Sequence, residues 1–406
     1  MHIALLGPDL FPAFHDFARA LKEVGARVTG VGSTPAARLR AGLKRHLDDW
    51  CQVRSPFDGA EIARVLAGAT ARRPVDRLET VEERLIEAAA DARRHLGLPG
   101  LSVDSARLCR DKPAMKEALR RAGIPCAESA AVDSLAGLQT FAEKHGFPLV
   151  LKPRAGLGSL ETFRVGDGRE LERAAGRLGV TKGDSAAVEE FVDGHEGFYD
   201  TISIAGEPAI EFASHYYPSV LEALSDRTIS PQIAASNRID LPSYSELREV
   251  GRKAIQVLEI GTSATHMEWF FGPKGLKVSE IGARAPGERI WDLYCVGNDL
   301  DLYRSWAEAL VLGEVREKPS RRLATGSVQV RPDREGKIVR YEGLDEVLRR
   351  CGDAIFAHET PPIGRKTVPI AKGYLANAWF RLRHPDYDTL REMMSWIGST
   401  LRVHAA

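Results

Sequence analysis

The stretch from Thr265 to Arg284 constrains this chain more than any other. Thr265, His266, Met267, Glu268, Trp269, Phe270 and Phe271 read as a strand, Gly272-Pro273-Lys274-Gly275 breaks it, and Leu276 to Ile281 reads as a second strand closing on Gly282-Ala283-Arg284. Pro273 presets the first residue of a type I turn, and Gly275 suits the left-handed third position of a three-residue hairpin loop. That loop predicts the pairing of Gly272 with Leu276, Phe270 with Val278, and Glu268 with Glu280. Directly opposed residues lie about 4.5–5.5 Å apart at Cβ, and bare like charges there repel. Two carboxylates that close share a proton or share a cation. Magnesium, a hard oxygen-seeking ion, takes one or two carboxylates beside substrate phosphates. A plain hairpin whose glutamates face solvent or pair with Lys277 and Arg284 is the other reading, and the hairpin alone does not separate the two.

Composition narrows the setting. A chain of 406 residues holds two or three domains and a large core. Lys+Arg and Asp+Glu both number 56, so any anion site must be local rather than a property of the whole surface. That balance argues neither for nor against an anionic partner, and nucleic acid is not an expected one. No apolar run reaches the length of about 18 residues that a membrane span needs, and the N-terminus opens on a short strand pattern rather than a leader. Cys51, Cys109, Cys126, Cys295 and Cys351 are scattered, without a Cys-x-x-Cys pair. Reduced thiols in a cytoplasmic protein are the expectation.

The first hundred residues alternate strand and helix. Ile3 to Gly7 is a strand, Phe14, Phe17, Ala18 and Leu21 fall at helical spacing up to Gly25, and Val28 to Gly32 is a second strand. Such alternation argues for a parallel sheet. The turn Gly7-Pro8-Asp9 lacks the Gly-x-Gly-x-x-Gly fingerprint of dinucleotide binding. A break at Leu98-Pro99-Gly100 sets a boundary near residue 105.

Arg110-Asp111-Lys112-Pro113 opens a helix with Asp111 as its cap. Lys112 there opposes the helix dipole, which points to a nearby anion or to a plain surface lysine. Asp133 caps a second helix through Leu135, Leu138, Phe141 and Ala142. A buried strand, Phe147 to Lys152, then runs into Gly156, Gly158 and Ser159, and a strand from Glu161 to Val165 follows. A glycine-rich loop between strands brings backbone N–H groups against phosphate or serves as a simple turn. Lys152 just upstream favours phosphate, because lysine neutralises it as a point charge. Next, Ala186 to Glu190 is a strand that runs into Phe191-Val192-Asp193-Gly194-His195-Glu196. Glu189 can accept from the exocyclic amine of adenine and Glu196 from ribose hydroxyls, while a solvated acidic turn is the alternative.

Taken in this order, the motifs resemble the ATP-grasp superfamily, in particular its carboxylate–amine ligases. The resemblance covers roughly residues 1–400. It rests on Arg110-Asp111-Lys112, Leu151-Lys152-Pro153 with Gly156-Leu157-Gly158-Ser159, Val188 to Val192 with Gly194 and Glu196, the His266-Met267-Glu268 strand, and Glu280-Ile281-Gly282-Ala283-Arg284. It implies a mixed α/β and α+β fold. A Rossmann-like parallel-sheet domain (1–105) would precede a two-lobed nucleotide- and metal-binding region (106–315) and a small C-terminal α+β domain (316–406). By the same resemblance Lys112 and Lys152, with Gly156, Gly158 and Ser159, hold ATP phosphates, while Glu189 and the backbone of Phe191 and Val192 hold adenine. Glu196 would take ribose, and Glu268 and Glu280 would take Mg2+, with Mn2+ as an alternative ion. Arg284 would steady the transferred phosphoryl group or the substrate carboxylate. His266, on the Glu268 face, either touches an anionic intermediate or is a structural hydrogen-bonding residue.

One position departs from the family. Asparagine commonly stands two residues after the second glutamate, and here it is Gly282. The implied reaction is ATP-dependent joining of a small-molecule carboxylate to an amine, an amino acid or short peptide among them, with ADP and phosphate released. A carboxylase of the biotin-carboxylase kind and a nucleotide-binding protein without turnover are the alternatives, and a homodimer is compatible with either. The stretch from His215 to Asn237 reads as an irregular cover. Arg289, Trp291 and Tyr294 could form an amino-acid pocket or a helix start with core aromatics. The tail places strands at Gly326 to Val330 and Gly336 to Tyr341 beside one turn, and helices at Leu344 to Arg350 and Asp388 to Ile397.

Overall fold

Strand alternation builds the N-terminal layer. His2–Leu6, Arg27–Gly32, Asp49–Gln52 and Arg77–Thr80 form a parallel sheet in which His2–Leu6 lies between Arg27–Gly32 and Arg77–Thr80. The structure, a computed structural model, describes residues 1–156, 161–370 and 376–406. Gly158 and Ser159 of the glycine-rich loop lie outside the described residues. With a side-chain period of two, Ala4 and Leu6 face Ile62, Leu66 and Ala89 on one side of the sheet. Ile3 and Leu5 face the other way, toward Phe17, Leu21 and Trp291. Phe17 sits on the expected helix, observed as His15–Glu23, and its ring lies 5.2, 5.0 and 5.1 Å from those of Trp291, Tyr303 and Trp306. Trp291 and Tyr294 are thus core aromatics, 3 % and 1 % exposed, and not a substrate pocket.

The second layer is an eight-stranded antiparallel sheet. From one edge its order is Gly275–Gly282, Ser263–Gly272, His195–Ile204, Glu207–Tyr217, Gln232–Ser236, Ala324–Val330, Ala378–His384 and Ile355–Glu359. It draws strands from both sides of residue 315. One expectation is corrected along it. The stretch from His215 to Asn237 is not irregular: strand continues to Tyr217, a short helix spans Val220–Ser225, and Gln232–Ser236 is an inner strand. The tail strands Ala324–Val330 and Ile338–Glu342 do not pair with each other, because the latter joins Arg402–Ala405 in a separate two-stranded sheet. The tail helices are Leu344–Cys351 and Tyr387–Thr400.

A smaller antiparallel sheet, Ser129–Val132, Ala186–Glu190, Leu149–Pro153 and Phe163–Val165, makes the third layer. Leu149, Leu151, Ala186 and Val188 pack beneath the helices Leu135–His145 and Gly168–Arg177. The intervening Val150, Lys152 and Glu189 face the opposite way and line a cavity. Leu135–His145 is capped by Ser134, whose hydroxyl accepts from the Gly137 N–H, and not by Asp133 as the sequence suggests. Among the described residues no helix is long and apolar enough to cross a membrane.

Because Phe17 is buried among three aromatic rings that join the first layer to the second, Phe17→Ala should cost about 3–5 kcal/mol. Chemical denaturation of the full chain measures it, and a loss below about 1 kcal/mol would contradict this packing.

Candidate active site

The cavity, about 870 Å³, lies between the inner face of the small sheet and the edge hairpin of the large one. Val150, Lys152 and Glu189 line it from one side, and Glu268, Phe270 and Glu280 from the other.

The hairpin brings its two glutamates together by a route the sequence does not show. Its strands leave only Pro273 and Lys274 between them, so Gly272 pairs with Gly275, Phe271 with Leu276, Phe270 with Lys277 and Trp269 with Val278. The expected pairs of Gly272 with Leu276 and Phe270 with Val278 are therefore off by one. Continued unbroken, that register would set Glu280 opposite Met267, which is 0 % exposed in the core. A bulge at Ser279 absorbs one residue and restores the pairing of Glu268 with Glu280. Gly275 has the expected left-handed backbone, φ +75°. The hairpin tip is held down by a close crossing: a Cβ on Gly272 would lie 2.1 Å from the Asp193 carbonyl oxygen, and one on Gly194 would lie 2.6 Å from that of Phe271.

Three lysines converge on this space, one more than the sequence reading found. Asp111 caps the Lys112–Arg121 helix by accepting from the Ala114 N–H, which sets Lys112 at the cavity. Lys112 Nζ lies 3.2 Å from Glu280 Oε2 and donates to the Gly156 carbonyl at 3.1 Å. Lys116, one turn on and fully enclosed, places Nζ 2.6 Å from Glu189 Oε2. Lys152 Nζ approaches the same oxygen at 2.9 Å. The i, i+4 spacing from Lys112 was the signal that could have revealed Lys116. Burial works to raise the Glu189 carboxyl, yet Lys116 and Lys152 outweigh it and hold it below its usual range. Burial likewise opposes the charge on Glu280, but Lys112 and Lys152 bring it down to about 2. For Lys116 burial wins and pushes the ammonium down to about 8 against the pull of Glu189. Glu189 Oε1 is buried with no hydrogen-bond partner among the described residues.

Phe191 and Val192 continue from the Glu189 strand along the cavity wall, with the Arg164 guanidinium 4.8 Å above the Phe191 ring. The Phe191 N–H is already donated to the Pro148 carbonyl at 3.3 Å. Glu196 lines the cavity, and its Oε2 accepts from the Val220 N–H at 2.7 Å. That bond anchors the start of the Val220–Ser225 helix, whose Leu221, Glu222 and Leu224 also line the cavity. His266 joins the group through Asp200: Nδ1 lies 2.6 Å from Asp200 Oδ1, while Nε2 is 3.8 Å from Glu268 Oε1. Burial lowers the imidazole, but Asp200 dominates and raises it to about 9, so His266 is a cation at neutral pH. Asp200, 1 % exposed, was missed because nothing local to it distinguishes it from other strand residues.

Arg284 follows the hairpin and is held by the first layer. Its Nε donates to Glu83 Oε2 at 2.8 Å and its Nη1 to the Ala285 carbonyl at 3.0 Å. Gly156, Lys112, Lys152, Glu189, Phe191, Val192, Glu196, Glu268 and Glu280 all line the one cavity; Arg284 and His266 do not, Arg284 being bound to Glu83 and His266 to Asp200, with His266 Nε2 3.8 Å from the lining residue Glu268.

A family model described as the carbamoyl-phosphate synthase L chain, ATP binding domain, matches residues 111–195. That span begins at the Asp111 cap and stops one residue before Glu196. The chain is 27% identical over 220 residues to the L-arginine-specific L-amino acid ligase of Bacillus subtilis, covering 53% of this chain and 52% of that one. It is 29% identical over 272 residues to alanine–anticapsin ligase of Bacillus subtilis strain 168, covering 56% and 55%. The matched region thus spans about half the length of these curated relatives. A solved structure of an L-amino acid ligase from Bacillus licheniformis superposes with a TM-score of 0.76 at 20% identity, over 100% of this chain and 98% of that one. That likeness is one of fold.

Glu196 yields a test by pH. Burial first, and the nearby Glu268 second, raise its carboxyl from the ordinary 4.5 to about 8. The folded chain therefore keeps a proton that the unfolded chain releases. The stability this contributes is full below pH 4.5 and lost as pH rises through 8. Glu196→Gln cannot ionise, so its stability relative to the parent chain should climb between pH 5 and pH 9. Denaturant midpoints across that range check it, and a constant difference would contradict the buried, protonated carboxyl.

Proposed function

We propose that this chain, which has the ATP-grasp fold, is an ADP-forming ligase that activates a carboxylate with ATP and joins it to an amine. The observation that carries the reading is the convergence of Lys112, Lys116 and Lys152 with the opposed Glu268 and Glu280 in one cavity large enough for a nucleotide. Lys112 and Lys152, with Gly156, would hold the phosphates. Glu189, on the cavity wall beside Phe191 and Val192, would accept from the adenine amine, with the backbone of those two residues alongside. Glu196 would take the ribose. Glu268 and Glu280 supply the hard oxygen donors that suit Mg2+, which would neutralise phosphate charge there. Like names among the relatives support a carboxylate and an amine as substrates, at least one an amino acid or short peptide.

The chemistry asks for alignment more than for a nucleophile. A carboxylate is a poor acyl donor because oxide is a poor leaving group. One carboxylate oxygen attacks the γ-phosphorus, the bond to the ADP oxygen breaks, and an acyl phosphate forms. The amine then attacks its carbonyl carbon, phosphate leaves with the original carboxylate oxygen, and the amine loses a proton. Charge neutralisation by Lys112 and Lys152 and the fixed guanidinium of Arg284 lowers the barrier without rearrangement at the moment of transfer. His266, cationic on Asp200, adds positive charge on the Glu268 side.

Carboxylate labelled with oxygen-18 should deliver label to the released phosphate. Label-free phosphate, or AMP and pyrophosphate as products, would reject the acyl phosphate, and bicarbonate-dependent ADP release without an amide would favour a carboxylase. Glu280→Gln should lower ATP turnover by about 100-fold or more, the scale of losing one preorganised electrostatic contact, with circular dichroism unchanged. Near-parental turnover would remove Glu280 from the metal role.

A further inference from the structure

Glu83 belongs to none of the motifs, yet two cations from distant parts of the chain end on it. It opens the Glu83–Leu85 turn that follows the last strand of the parallel sheet. Arg284 reaches Glu83 Oε2 with Nε at 2.8 Å and Nη2 at 2.6 Å, and Arg110 reaches Oε1. Arg110 Nη2 also donates to the Ala155 carbonyl at 2.9 Å, at the entry to the glycine-rich loop. All three side chains are largely enclosed, at 9 % exposure for Arg110, 11 % for Glu83 and 19 % for Arg284.

The hold on Arg284 has a competitor. Arg284 stands four residues after Glu280, on a long flexible stem, and both Glu268 and Glu280 attract its charge. Lys112 already contacts Glu280 and His266 lies near Glu268, yet two opposed carboxylates would still draw a loose guanidinium, whose planar fork can bridge them. Glu83 wins that competition by a two-nitrogen contact, and the Ala285 carbonyl takes Nη1.

We propose that Glu83 is a positioning residue that holds Arg284 off the Glu268–Glu280 pair and so keeps that pair open to a divalent cation. The proposal rests on the metal reading of the two glutamates given above, and the test separates the two. Mn2+ is titrated into the full chain with ADP present, and free Mn2+ is followed by its electron paramagnetic resonance signal, which needs no turnover. Glu83→Gln should weaken Mn2+ binding by about tenfold, inside the range that coupling between two sites spans. Adding Arg284→Met to that variant removes the competitor and should return binding to the parental level. Glu83→Asp keeps the charge on a shorter stem, should weaken binding less, and serves if Glu83→Gln does not fold. Parental binding in both Glu83 variants would overturn the proposal. So would a double variant as weak as Glu83→Gln, since Glu83 would then act on the fold and not on Arg284. No Mn2+ binding by the parent chain would overturn the metal reading itself, and the proposal with it.

Discussion

Opposing Glu268 and Glu280 on one ladder is the constraint on which the rest of the site depends. Two carboxylates at that spacing repel, and the protein meets the cost with cations brought from three places: Lys112 from a helix start, His266 from the same strand, and Arg284 from beyond the hairpin. Each cation is itself restrained by another anion or carbonyl, Lys112 by the Gly156 carbonyl, His266 by Asp200 and Arg284 by Glu83. Of the three, Lys112 contacts a glutamate directly, Glu280 at 3.2 Å, while His266 and Arg284 are held by Asp200 and Glu83. A site built this way is preorganised, because most of its charges are fixed by partners outside the glutamate pair before substrate arrives.

The same logic runs through the second charge group. Glu189 lies among Lys116 and Lys152 on the floor formed by the small sheet. One of its oxygens balances both lysines, and the other is buried without a hydrogen-bond partner among the described residues. An uncompensated carboxylate at that depth would cost several kcal/mol, roughly the price of breaking a buried ion pair. Lys116 therefore makes it possible to keep a charged Glu189 where it lies, even though burial pushes the Lys116 ammonium down to about 8.

Much of this was legible in sequence where the signal is local. Turn chemistry at Pro273 and Gly275 announced the hairpin, Asp111 announced the helix that carries Lys112, and the apolar run from Phe147 to Leu151 announced a buried strand ending on Lys152. The pairing of Glu268 with Glu280 was reached from a loop one residue too long, and an unforeseen bulge at Ser279 compensated for it. A bulge depends on what packs beneath it, here Met267 and Trp269 in the core, and has no sequence signature of its own. Glu83 and Arg284 are 201 residues apart, and Asp200 and His266 are 66 apart. Periodicity does not reach that far, so partners of this kind emerge only from the fold.

The strand order of the large sheet also has a consequence for how the chain is made. Gln232–Ser236 finds one neighbour in Glu207–Tyr217, already synthesised, and the other in Ala324–Val330, about 90 residues later. At a synthesis rate of about 5–20 residues per second, its outer edge stays unpaired for roughly 5–20 seconds. During that interval a buried apolar strand presents a bare row of backbone donors and acceptors, the condition under which strands recruit foreign partners. The nascent chain thus carries this open edge from the completion of Gln232–Ser236 until Ala324–Val330 has left the ribosome.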